Sequence, residues 1–423
     1  MDSPKKLIVG YDLCEEETQI SCFSYKSMEP VLISMRDGEE RYSIPTLLCL
    51  KTSTKQWLFG EEARACSEEG AGILVKRLLE KATIGEDIEI MGQSVSTVSL
   101  LEIFLRRTLS LVKNYFPSEP ITKMVITVKN TDPSLVSMIY EALTSLGLEK
   151  DRVVIMNHDG AYLYYALSQD KSLWMNDVGL FDFDREGLNY YQIKMNRRIT
   201  PMVAEIDKLD FTKEMNYDIL KLRKMGKADP AYILENLTNT VLYKQLITTL
   251  YFTGCGFDGG WAEEVIKSLC TGRRVFFGQN LYTMGACFAA KELSGDGQLE
   301  DFILLSDDMV TSYLSIKVYC DTSFKEYSIL TPGENWFEVN TTLEVILDGD
   351  TNLELLKKNI MTREVERISY PLQEIPKRPN RMTRLLITLN CTDKLTALLT
   401  VKDLGFGEIF PATGQITQIT IEI

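Results

Sequence analysis

Two stretches of this 423-residue chain share one pattern. LIVGYDL (Leu7–Leu13) is an apolar run closing on Asp12, followed by a polar turn and the alternating run QISCFSY. VGLFDFDREGLNYYQIKM (178–195) repeats it, with an apolar run closing on Asp182, a turn, and a second strand-like run. A short, continuous apolar run reads as a strand buried on both faces, and an alternating run as a strand with one face buried. Two such strand–Asp–turn–strand hairpins point to an internal duplication, with one α/β half per hairpin.

The sequence between and after the hairpins fits that expectation. KMVITVKN, PSLVSMIYEALTSLG, RVVIMN and DGAYLYYALSQ alternate strand and helix, as in βαβ units. LLEIFLRRTLSLVKNYF (100–116) has a strong helical stripe and stops at Pro117. EEARACSEEGAGILVKRLLEKA has helical spacing interrupted at Gly70 and Gly72. TTLYFTGCGFDGGWAEEVIKSLC predicts a strand, a glycine-rich turn and a helix. From Asp301 onward short strands dominate, and NLELLKKN reads as one or two helical turns among them. The expected domains are 1–177 and 178–297 as two α/β lobes, a linker near residues 294–297, and 301–423 as an all-β sandwich.

Composition restricts function. A formal net charge of −14 disfavours nucleic-acid and anionic-membrane partners. No apolar run approaches the ~18 residues of a membrane span, and the N-terminal stretch lacks the apolar core of a signal peptide, so a cytoplasmic protein is expected. The nine cysteines are scattered without a CxxC pair, so neither a zinc site nor a disulfide framework is expected, and the single histidine, His158, leaves no His-rich metal motif.

LIVGYDLCEEETQ, YSIPTLL, WLFGEEA, VKRLL, LFDFDREGLNYYQI and FTGCGFDGGWAEEV, taken in order, resemble the DnaK-type heat-shock chaperones of the actin–hexokinase superfamily. The resemblance implies a two-lobed, actin-like ATPase fold with a shortened second lobe, followed by a β-sandwich. It implies ATP or ADP with magnesium as the cofactor of a functional site. Gly10, Asp12, Asp182, Gly187, Gly254 and Gly256 would then contact the nucleotide. Asp12 and Asp182 would hold the metal through water, and Asp12, Lys76 and Asp182 would be the catalytic candidates. It also implies a protein or peptide partner for the β domain.

This sequence departs from that family at the phosphate hairpins. Cys14, Glu15 and Glu16 replace Gly-Thr-Thr; Asp184, Arg185 and Glu186 replace glycines; His158 replaces the glutamate that helps position water. Two like charges ~4 Å apart cost about 4 kcal/mol at an effective dielectric near 20. Glutamates facing a triphosphate would therefore oppose binding. The expectation is a chaperone-like pseudo-ATPase with no cofactor assigned. A divergent ATPase or phosphotransferase and an actin-like assembly protein are the alternatives.

Overall fold

The computed structural model describes residues 6–36, 38–349 and 352–423. Its contacts divide the chain into a unit ending at Phe302 and a unit running Ile303–Ile423.

The first unit opens with β1 (Leu7–Leu13) and β2 (Glu17–Ser24), followed by β3 (Glu29–Leu32), β4 (Ile44–Pro45), β5 (Leu48–Lys51) and β6 (Trp57–Phe59). All seven residues of β1 are buried, because it lies inside its sheet. The segment broken by Gly70 and Gly72 becomes three elements: α1 (Gly60–Glu68), β7 (Gly72–Val75) and α2 (Leu78–Ile84). Strands β8 (Ile88–Ile90) and β9 (Gln93–Val95) precede α3 (Thr97–Tyr115), whose N-cap Ser96 accepts from the Ser99 amide. Next come β10 (Ile121–Val128), α4 (Pro133–Ser145), β11 (Val153–Asn157) and α5 (His158–Leu167). Asp132 and Asn157 cap α4 and α5 through their side chains.

The second hairpin is β12 (Asp177–Phe183) and β13 (Leu188–Asn196). It continues through β14 (Met202–Asp210), α6 (Ile219–Lys224), α7 (Pro230–Leu242), β15 (Ile247–Thr253), α8 (Glu263–Leu269), β16 (Arg274–Phe277) and α9 (Leu281–Lys291).

The two hairpins seed sheets of the same design. One contains the order β11-β10-β1-β2-β3 and the other β16-β15-β12-β13-β14. In each, the hairpin's first strand pairs parallel with a later strand and antiparallel with its hairpin partner. The registers correspond: Asp12 lies opposite Thr127 and Gln19, and Asp182 opposite Thr253 and Asn189. Both parallel ladders carry an irregularity at their first step, Leu7/Ile8 and Asp177/Val178.

Helix α9 lies against β1, β2 and β10 and packs on α5. Two glycines allow this. A Cβ on Gly10 would sit 2.3 Å from the Cys287 amide nitrogen, and one on Gly285 would sit 2.0 Å from the Ala161 carbonyl oxygen. Part of the expected linker belongs to the first unit, where Asp296 accepts hydrogen bonds from Lys6 and Tyr25.

Strand β17 (Phe302–Leu305) begins at the boundary between the units. The second unit then holds β18 (Ser312–Cys320), β19 (Ser323–Leu330), β20 (Asn340–Ile346), β21 (Asn352–Asn359), β22 (Val365–Pro371), β23 (Arg384–Asp393), β24 (Thr396–Gly405) and β25 (Ile416–Glu422). They form two four-stranded sheets, β19-β18-β21-β22 and β20-β23-β24-β25. One apolar cluster draws on both, with Leu314, Ile316 and Leu355 from the first and Ile387, Leu399 and Ile421 from the second. NLELLKKN is strand β21 rather than helical turns. Leu353 and Leu355 alternate into the core, and pairing with β18 and β22 on both sides overrides the local helical tendency of the leucine–lysine run.

Candidate functional site

Asp12 and Asp182 hold equivalent places, each one residue before the end of its strand, β1 or β12. Both carboxylates are buried. Two aromatic rings link them. His158, the first residue of α5, brings Nε2 within 2.9 Å of Asp12 Oδ1. Its ring stacks on Tyr282 of α9 with centroids 3.7 Å apart and planes 14° from parallel. Tyr282 in turn donates its hydroxyl to Asp182 Oδ2 at 2.6 Å. Burial, then the nearby charge of Asp184, pushes the Asp182 carboxyl up to about 6, against the opposing hydrogen bond from Tyr282.

Cys14, in the turn after Asp12, completes a compact group. Its Sγ donates to Asp12 Oδ1 at 3.4 Å and lies 3.4 Å from His158 Nε2. The turn is anchored by Thr46, which donates its hydroxyl to the Cys14 carbonyl at 2.6 Å. Burial, then the Asp12 charge, holds the Cys14 thiol well above its ordinary range, so it is protonated and a poor nucleophile. A relay of the cysteine-protease kind is also excluded by geometry. There the carboxylate and the sulfur engage opposite ring nitrogens, whereas here both address Nε2.

The three glutamates of the first turn have separate protein partners. Glu15 accepts from the backbone amides of Leu79 and Glu80 at the start of α2, at 3.4 and 2.8 Å. Glu16 pairs with Arg185 from the second hairpin at 3.2 Å. Glu17 accepts from the Ser43 hydroxyl. The expected repulsion between Glu15 and a phosphate therefore lacks its premise: this carboxylate points at amide donors. In the second turn, Lys129 pairs with both Asp184 and Glu186.

Of the remaining nominated residues, Gly254 lies beside the Asp182 carboxylate, where a Cβ would fall 2.8 Å from Oδ1, and no contact among the described residues places Lys76 with the two aspartates. Lys76 is exposed between β7 and α2. Gly10 faces α9, and a Cβ on Gly187 would meet Thr212 at 2.8 Å. Gly254, with φ +100°, and Gly256 both lie against Phe183; their hypothetical Cβ atoms fall 2.3 Å from its carbonyl oxygen and 2.4 Å from its ring. These glycines thus serve close approach of one protein segment to another. The residues present do not fit a magnesium-bound phosphate chain. His158 and Tyr282 bridge the two aspartates, and Cys14 engages Asp12 directly.

Sequence reasoning missed Tyr282 and Lys129. Tyr282 sits in NLYTMGACF, whose helical pattern marks it only as a core position. Nothing in spacing distinguishes it.

An α/β unit with a repeated sheet design, joined to a strand-rich unit, is the class these elements define. The chain belongs to the family of unknown function DUF5716, matching its C-terminal part over residues 29–307. Residues 309–423 match a domain of unknown function, DUF8552. No curated protein matches the chain. Among the described residues, no helix is long and apolar enough to cross a membrane.

Proposed function

We propose that this protein is a chaperone-like pseudo-ATPase that works in the cytoplasm by binding a protein or peptide. In this reading the first unit is an actin-like scaffold of the DnaK kind that has given up nucleotide hydrolysis. The two sheets of matching strand order support the scaffold assignment. The observation that carries the loss of hydrolysis is the Asp12–His158–Tyr282–Asp182 connection, which uses the family's metal-holding carboxylates to bond protein groups.

The β unit supplies the binding surface. Strand β19 is a sheet edge, and edges accept an added peptide strand. Its first six residues are exposed. Phe324 there meets Tyr319 of β18 edge to face at 5.1 Å, with both side chains more than 60% exposed (69% and 62%). An aromatic pair this open on an edge favours a protein or peptide partner over a small ligand.

Two measurements on the full chain test the reading. Calorimetry and thermal shift with ATP, ADP and Mg²⁺ should show no turnover and no stabilisation. Steady ATP turnover abolished by Asp182→Asn would overturn it. Fluorescence anisotropy should show binding of extended apolar peptides, weakened by Tyr319→Ser with Phe324→Ser. Absence of binding, or binding indifferent to that pair, removes the peptide assignment.

A further inference from the structure

Asp12, Cys14 and His158 present one oxygen, one sulfur and one nitrogen to a common point, all within 4.8 Å of one another. We propose that these three side chains form a binding site for one divalent cation of the zinc or cobalt(II) class, with a fourth position open to water.

The donor set is the first argument. A thiolate, an imidazole and a carboxylate together suit borderline-soft cations and not magnesium. The second argument is shape. Tetrahedral zinc with bonds of about 2.3 Å to sulfur and about 2.0 Å to nitrogen or oxygen needs ligand separations of about 3.5 Å for sulfur edges and about 3.3 Å for the nitrogen–oxygen edge. The sulfur edges here are both 3.4 Å and the nitrogen–oxygen edge is 2.9 Å. Small outward movements of Asp12 and His158 open a tetrahedral face.

The third argument is anchoring. Asp12 is fixed in a buried strand, Cys14 by the Thr46 bond to its carbonyl, and His158 by its stack on Tyr282. Supporting contacts of this kind orient metal ligands. The surrounding charge also favours a cation. Asp182 lies close enough to act on Cys14, and Lys129, the nearby cation, is engaged by Asp184 and Glu186. Binding would release the Cys14 thiol proton to solvent and place the imidazole proton on Nδ1, freeing Nε2 as the donor.

The proposal does not depend on the peptide-binding reading, and its test uses neither peptide nor nucleotide. The full chain carrying Cys270→Ser and Cys320→Ser, which removes the two exposed thiols, is stripped with a chelator and titrated with Co²⁺. One equivalent should produce a thiolate-to-cobalt band and the intense visible bands of tetrahedral cobalt, and Zn²⁺ should displace them. Cys14→Ser and His158→Gln should each abolish both features. X-ray absorption of the zinc-loaded chain needs no site variant and should find one sulfur among oxygen and nitrogen neighbours. No stoichiometric cobalt spectrum, an unchanged spectrum in Cys14→Ser, or a zinc shell without sulfur would overturn the assignment.

Discussion

Tyr282 donates its hydroxyl to Asp182 at 2.6 Å while its ring lies face to face with His158. One residue of α9 thus braces a carboxylate of the second sheet and the imidazole bound to a carboxylate of the first. Tyr282→Phe keeps the stack and removes the donor. An unsatisfied buried polar group costs about 1–3 kcal/mol. Urea unfolding should show a loss of that size, and Tyr282→Ala a larger one. An unchanged midpoint in Tyr282→Phe would mean the hydrogen bond carries no weight.

Asp182 gives the first unit a pH signature. Its carboxyl is raised from the ordinary 3.8 to about 6, so between those values the folded state holds a proton that the unfolded chain has released. The resulting stabilisation is complete below about pH 4 and is lost as pH rises through about 6. Asp182→Asn should flatten this part of the stability-versus-pH curve measured by denaturant unfolding. An identical slope in variant and wild type would assign the titration elsewhere.

The second unit should behave oppositely at its buried ion pair. Arg378 grips Asp403 with two bonds of 2.7 Å, and the Thr413 and Gly405 amides donate to the same carboxylate. The guanidinium and these donors hold the carboxyl well below its usual range, against the cost of burial. Stability from this group is present above the ordinary carboxylate pKa and fades as pH falls towards the depressed value. Breaking a buried pair from one side costs roughly 3–5 kcal/mol, and Arg378→Ala should lower the urea midpoint of this unit accordingly. A shift typical of an exposed pair would show that the carboxylate finds water instead.

Much of this architecture is legible in the sequence, because strands buried on both faces leave continuous apolar runs. LIVGYDL and VGLFDF could hardly be anything else, and the repeat of the pattern anticipates the matching sheet orders. GILV within 60–84 is harder to read, since four residues flanked by helical spacing carry no period of their own. The Asp12–Cys14–His158 group is invisible to spacing rules. His158 is 144 residues from Cys14, and the two meet only because β11 delivers α5 beside β10 and β1. A search for CxxC or paired histidines looks for ligands on one element, and this group is spread over a strand, a turn and a helix.

The glutamate-rich turn separates side chains that hold the backbone from those that only decorate the surface. Glu15 meets two amides that α2 leaves without intrahelical partners, whereas Glu16 and Arg185 form an ion pair between side chains about 60% exposed. Removing a side-chain cap costs about 0.5–2 kcal/mol, and an exposed pair is worth about 0–1 kcal/mol. Glu15→Ala should therefore lower Tm measurably and Glu16→Ala hardly at all. Equal effects would mean that Glu15 does not cap α2 in solution.

Gly10 offers the sharpest division between a nucleotide site and a packed core. In a phosphate-binding hairpin, a glycine keeps space open for ligand oxygens, and a methyl group there would chiefly weaken ligand binding. Here the space is taken by α9: a Cβ on Gly10 would lie 2.3 Å from the Cys287 nitrogen, 2.4 Å from the Thr283 oxygen and 2.7 Å from the Cys287 Cα. All three are backbone atoms of a helix, so no rotamer change relieves the clash. The helix would have to move away from β1, opening contacts along its length. Overpacking of this kind typically costs 1–3 kcal/mol and occasionally more, and rigid backbone on both sides places Gly10→Ala at or above about 3 kcal/mol. Gly285→Ala, aimed at the Ala161 carbonyl from the other side of α9, should be comparably damaging. Gly278→Ala, where nothing lies within 4 Å of the added carbon, is the control and should leave Tm nearly unchanged. Thermal unfolding of the three variants without any ligand decides the matter. A Gly10→Ala protein as stable as the Gly278→Ala control would show that α9 does not rest on β1 and that the hairpin is open to a ligand.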